Sequence, residues 1–431
     1  MDIQTRFPAS GAGLNEEISV KTAILAFCMT LAPSVLPAQQ ARVISLAEAY
    51  RLSLAKSETL AQDAEGIKEL EAAERLIRSA FLPALTGLGT ESSADRSQGK
   101  GQAGLNLNYE LFSGMRDYIS ARASALKTEA ARLGLARAKQ ALYLNVAQAC
   151  INLSSVRQEL AVRQGQLGVS TNRIKELQGR ESVGRSRKSE VVAAQAQLAQ
   201  DESALQNALG REKIAQLELG FLTGLEADLA PEPLPLPENY ALGPYLRLAQ
   251  TRFDVEAARM TLEAARLGAD AERHLRWPSL NVGANYYFKR PAPYRNVDWD
   301  AGLTLSLPLF SGGAIGAAVD QAQARGAAAE YALALAARRA ATEVNEAFST
   351  LEHSLATLDS LKKALVLAED NARMQSRDYT YSLVTNLDVL NAQNALLQTK
   401  LGLEQARAQA CWAGVRLEVA GGGPEHGAEA K

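Results

Sequence analysis

The sequence predicts a mainly α-helical chain with a small β part, built as two tandem repeats, each a β-hairpin joined to long coiled-coil helices. Three observations predict it. Proline is absent between Pro83 and Pro231 and again between Pro308 and Pro424, and proline is the residue that most strongly breaks helices. Within the second gap Val344, Leu351, Leu358, Leu365 and Ala372 recur every seven residues, a coiled-coil seam, with Phe348 and Leu355 four positions beyond the first two. The chain also writes one short alternating strand twice, GLNLNYELFSGM at 104–115 and GLTLSLPLFSGG at 302–313, 198 positions apart.

The same offset of 198 relates SEVVAAQAQL (Ser189–Leu198) to LDVLNAQNAL (Leu387–Leu396), so the helix between strand and motif has one length in both halves. Each half opens its β part with Pro-x-Leu, as LPALTGLG at 82–89 and WPSLNVGANYYF at 277–288. No breaker interrupts the chain from about Met115 to about Ser182, which at 1.5 Å per residue makes an arm of roughly 100 Å. The resulting division has a signal peptide and N-terminal extension at 1–38 and a first repeat at 39–220, with strands near 82–90 and 105–112. A Pro-rich connector at 221–245 leads to a second repeat at 246–420, with strands near 279–288 and 299–310, and a disordered tail at 421–431.

Lys21 precedes the apolar run TAILAFCMTLAPSVLPA, which is short for a membrane span and is broken by Pro33 and Pro37. It reads as an export signal cleaved near Ala38. No other apolar run reaches about 18 residues, so no transmembrane helix is expected in the mature chain.

Formal net charge is −2, with charged residues at 22%, giving no basic bias towards nucleic acid. His274, His353 and His426 are far apart and have no metal spacing. GKGQAG at 99–104 has glycines at dinucleotide-binding spacing but enters a strand rather than a helix. No nucleophile–base pair is recognisable, so no enzyme, cofactor or metal is expected. Cys150 and Cys411 lie in helical patterns, as buried small residues or as a disulfide pair.

The hairpins pose the main choice. Leu280, Val282, Ala284, Tyr286 and Phe288 alternate with Ser279, Asn281, Gly283 and Asn285, the period of a strand with one apolar face. That face packs on a helix in a soluble domain, or it faces lipid in a barrel wall. Strands of about ten residues suit a bilayer. Tyr286, Tyr287, Phe288, Tyr294 and Trp299 cluster at one hairpin end like an interfacial girdle. With the export signal and paired long helices, these favour the barrel, with Leu105, Leu107, Leu303, Leu305 and Leu307 towards outer-membrane lipid. Four strands cannot close a barrel, because the smallest bacterial ones have about eight. Other copies of the chain must complete the wall, so a cyclic oligomer follows.

At this point the chain resembles the TolC-like outer-membrane channels of efflux pumps and type I secretion. The resemblance runs from about Val43 to Ala420 and rests on the duplicated plan, the twin LFSG strand ends and LDVLNAQNAL. It implies a homotrimer whose twelve strands form one barrel, continued by a helical tunnel reaching across the periplasm. The function implied is a passive exit duct, opened at its inner end by a periplasmic adaptor (membrane fusion protein) and an inner-membrane RND or ABC transporter. The resemblance implies adaptor-contact tips at Gly184 and Arg185 and at Ser382 and Leu383, with Ser382 where the family has glycine. It implies a gate at Asp388, with Asn391 where a second acid often stands, and at Tyr379 with Glu190. The arginine that often joins this lock is absent, since Val384 occupies its place.

Two readings stay open for Asp388: a pore-lining acid repeated three times around the axis, or a solvated acid or cap at a helix start. Arg185, Arg187 and Lys188 form either an adaptor contact or a plain solvated turn. The alternative for the whole chain is a soluble periplasmic coiled-coil or adaptor protein. An adaptor would have one helical hairpin rather than two.

Overall fold

A computed structural model describes residues 42–423 except 95–96, 227, 239 and 292–293. The expected signal segment and the chain beyond 423 lie outside the described residues. The first half runs β1 (Arg42–Ile44), α1 (Leu46–Lys56), α2 (Glu58–Ser79), β2 (Ala84–Ala94), β3 (Ser97–Phe112), α3 (Arg116–Ser182) and α4 (Lys188–Thr223). The second runs β4 (Leu229–Pro231), α5 (Leu242–Ala249), α6 (Phe253–Arg273), β5 (Ser279–Lys289), β6 (Trp299–Ser306), α7 (Ala314–Thr380) and α8 (Asn386–Ala420). A 3₁₀ turn, His274–Arg276, joins α6 to β5.

Helices α3 and α7 are 67 residues each, and α7 starts and ends 198 positions after α3. Such lengths are held by packing rather than by propensity. Val344 and Leu351 are fully buried and Leu358 nearly so, so the seven-residue seam is the face α7 turns to its neighbours. Ala340, Ala347, Ala413 and Ala420 lie beside it, and their small side chains let α7 and α8 approach closely. A second core joins Ile44, Ala49, Val146, Leu153, Leu219 and Leu229. There β1 pairs in parallel with β4, so the Pro-rich connector contributes a short strand to the first half. Cys150 and Cys411 are free and buried, lining one small cavity. Burial pushes the Cys150 thiol up to about 12.

A polar cluster joins the two halves, centred in the second half on Arg252, whose side chain is 1% exposed. Its guanidinium grips Asp254 with two hydrogen bonds (2.7 and 2.6 Å) and donates to Glu343 of α7 (2.6 Å). Glu343 also meets Arg137 of α3 at 3.5 Å, and Gln140 Nε2 donates to the Gly422 carbonyl at 3.0 Å. One polar cluster therefore ties α3, α6, α7 and the end of α8.

The four long strands make one antiparallel sheet in the order β2-β3-β5-β6. Register pairs Leu105 with Tyr286, Leu107 with Ala284, Val282 with Leu303 and Leu280 with Leu305. These side chains share one face because paired residues point the same way. Both edges, β2 and β6, are unpaired among the described residues. Two strand limits differ from expectation. The first hairpin, expected to have strands only near 82–90 and 105–112, pairs further: β2 reaches Ala94 and β3 starts at Ser97, because backbone pairing alone carries a hairpin past the point where alternation stops. The last strand ends at Ser306 rather than near 310, ahead of Pro308, which has no N–H to give a ladder. Leu307 therefore follows the strand instead of lying on it.

Strand meets helix through the repeated Phe-Ser-Gly corner. Gly114 and Met115 have positive φ (65° and 67°), as do Gly312 and Gly313 (59° and 86°). A Cβ on Gly114 would lie 2.8 Å from Cβ of Trp277, so glycine there is required by space as well as by backbone.

Candidate gate at the helical tips

The ends of the long helices opposite the sheet form two tips. At the first, Gly184 N–H donates to Glu181 O (2.9 Å) and Arg185 N–H to Arg180 O (2.8 Å). At the second, Ser382 N–H donates to Tyr379 O and Leu383 N–H to Asp378 O, both at 3.0 Å. The two turns are the same helix-ending motif, whose closing residue is left-handed. Gly184 has φ 71° and Ser382 has φ 61°. Serine pays about 1 kcal/mol for a conformation that glycine adopts freely. Ser382→Gly is therefore expected to slow amide exchange across 378–386 by about two- to fivefold; unchanged or faster exchange would contradict the strain.

Helix α8 starts with a capping box. Thr385 Oγ1 accepts from the Asp388 N–H (3.4 Å), and Asp388 Oδ2 accepts from the Thr385 N–H (2.9 Å) and hydroxyl (2.6 Å). These bonds hold the Asp388 carboxyl below the usual range. A depressed carboxyl stabilises above its ordinary pKa of about 3.9 and loses that contribution as pH falls through the lowered value. Asp388 is exposed, and Asn391 is exposed one turn on, on the same side of α8. The capping reading of Asp388 holds.

The structure brings Tyr379 and Glu190 together: the phenol donates to Glu190 Oε2 at 3.2 Å, linking α7 to α4. Tyr379 is buried, packed with Ile174, Leu177, Val191 and Val389. Two arginines of α3 that sequence reasoning missed complete the contact. The Arg173 guanidinium lies 4.0 Å from the Tyr379 ring centre and that of Arg180 lies 4.6 Å away. Arg173 is 5% exposed and donates twice to Asn386 Oδ1 (3.1 and 2.7 Å) and once to Glu176 (2.7 Å). Val384, where the expected arginine is missing, packs against this cluster as an apolar residue. The positive charge at this contact comes from the other hairpin instead. The seven-residue spacing of Arg173 and Arg180, which keeps them on one edge of α3, was the one signal available.

A family model described as outer membrane efflux protein matches residues 49–225 and 245–423. The chain belongs to the outer membrane efflux protein family. Its two matched segments are the two repeats, and the TolC-like resemblance read from the LFSG and LDVLNAQNAL motifs is this family. Nodulation protein T of Rhizobium leguminosarum bv. viciae is 27% identical over 177 residues, covering 40% of this chain and 37% of that protein. The chain thus spans well under half of that relative. Outer membrane protein TolC of Escherichia coli K12 is 26% identical over 373 residues, 78% of this chain and 74% of TolC. Among solved structures, the outer membrane protein VceC of Vibrio cholerae superposes with a TM-score of 0.79 at 21% identity, over 88% of this chain and 96% of VceC. That likeness shows a shared fold. Among the described residues no helix is long and apolar enough to cross a membrane.

Proposed function

We propose that this outer membrane efflux protein is the exit duct of a tripartite efflux or type I secretion system, a passive homotrimeric channel. The observation that carries the reading is a four-stranded sheet with one apolar face and two unpaired edges, joined to roughly 100 Å of helix. Exposed leucines such as Leu303 and Leu305 (65% and 70%) on a sheet with open edges are unstable in water and unpaired in lipid. Three copies, pairing β6 of one with β2 of the next, remove every edge and give twelve strands, an even number as such barrels use. Leu105, Leu107, Leu303 and Leu305 then face lipid, and the long helices form a tunnel into the periplasm.

In this reading the tips form the inner gate. Three Asp388 carboxylates around the axis favour cations, with Asn391 as a neutral second layer. Tyr379, Glu190, Arg173 and Asn386 bind the two helical hairpins to one another. Gly184, Arg185, Ser382 and Leu383 are the points a periplasmic adaptor touches, and an RND or ABC transporter supplies the energy. The test is insertion of the purified chain into a planar bilayer. Steady single-channel conductance supports the duct. A folded protein that never conducts contradicts it and favours a soluble periplasmic adaptor.

A further inference from the structure

The polar face of the sheet carries one continuous row. Thr86, Asn106, Asn285 and Asp300 are successive register partners on the four strands. Thr86 Oγ1 lies 3.4 Å from Asn106 Oδ1, Asn106 Nδ2 donates to Asn285 Oδ1 at 2.8 Å, and Asn285 Nδ2 donates to Asp300 Oδ1 at 2.8 Å. Side-chain amides linked in this way fix one another's orientation. The row ends on a carboxylate, and the other Asp300 oxygen meets the Arg290 guanidinium at 3.3 Å. Arg290 is itself held by two rings, with Tyr287 at 4.1 Å and Tyr294 at 5.2 Å from centroid to guanidinium.

Position gives this pair its meaning. All four strands join helices at one end of the sheet, and the pair sits at the other, where β5 turns into β6. Thr86 is near the helix end of β2, whereas Asp300 is near the turn end of β6. Barrel strands tilt by about 35–45°, so a row perpendicular to them climbs the wall and delivers its charge to the outer mouth.

We infer that Arg290 and Asp300 are the charge-balancing residues of the duct's outer mouth, a compensated pair repeated three times around the lumen. The inference rests on the duct reading above. Each guanidinium cancels its carboxylate, so the pair adds no net charge to the mouth, and removing either partner leaves a ring of one sign. A pair needed only to hold the hairpin together would leave ion selectivity alone.

The experiment is the reversal potential of purified full-length protein in planar bilayers under a KCl gradient. Arg290→Gln is expected to raise the K⁺/Cl⁻ permeability ratio by about twofold or more, and Asp300→Asn to lower it similarly. The double variant is expected to return near the wild-type ratio. Should a single variant fail to assemble, Arg290→Cys modified with cationic or anionic thiol reagents is expected to move the ratio in opposite directions. Ratios that stay fixed, or move the same way for both charges, overturn the inference while leaving the duct intact. A wild-type protein that does not conduct overturns both.

Discussion

Arg173→Ala is expected to leave the assembly folded and to open its inner end. Arg173 touches Tyr379 at the end of α7, Asn386 at the start of α8 and Glu176 on its own helix. Its loss strips Asn386, itself buried, of its charged partner and removes one of two cations over the Tyr379 ring. Charge-assisted hydrogen bonds and a cation–π contact of this burial are together worth about 2–3 kcal/mol. If that contact holds the hairpins together, the balance between bound and parted tips shifts by roughly 30- to 150-fold. Single-channel recording should show longer open times and larger conductance, and Arg173→Lys should fall between, since an ammonium cannot fork onto Asn386. Wild-type gating in a folded Arg173→Ala variant would remove Arg173 from the gate.

The second large effect is expected far from the tips. Arg252→Ala deletes a guanidinium that is almost wholly buried and leaves Asp254 and Glu343 without their shared cation. Removing one partner of a buried pair costs about 3–5 kcal/mol, and the partial exposure of both acids brings the figure here to about 3 kcal/mol. The loss should be local, because the cluster joins the start of α6 to α7 and to the Ala420 carbonyl. Amide exchange across 249–258 and 415–423 is expected to quicken by roughly 100-fold while the tips keep their protection. Unchanged exchange in these segments would show that packing alone holds the start of α6 against α7 and the end of α8.

Much of this molecule is legible in the sequence because its constraints are periodic. The seven-residue spacing from Val344 to Ala372 reveals a buried seam, and the offset of 198 reveals two helices of one length. What was hidden depends on partners distant along the chain. Arg173 meets Asn386 across 213 positions, and nothing in the surrounding STNRIKEL shows which arginine will be buried. Arg252 beside Asp254 resembles any exposed pair until Glu343 arrives from α7. The first hairpin's limits were misread for a local reason: the sequence past Thr90 lacks alternation, yet β2 and β3 go on pairing as far as Ala94 and Ser97. Asp388 shows the remaining difficulty, since TNLD is at once a capping box and the start of the proposed gate, and one residue serves both.

In the proposed duct the four strands of this chain are one third of a wall. The most direct measurement is the mass of the assembly extracted from the outer-membrane fraction of cells expressing the full-length chain. Three protomers in one detergent-stable, heat-dissociable particle is the predicted result. A monomer recovered from the soluble periplasm would contradict it, because the exposed leucines and both open edges of the sheet would then have to persist in water.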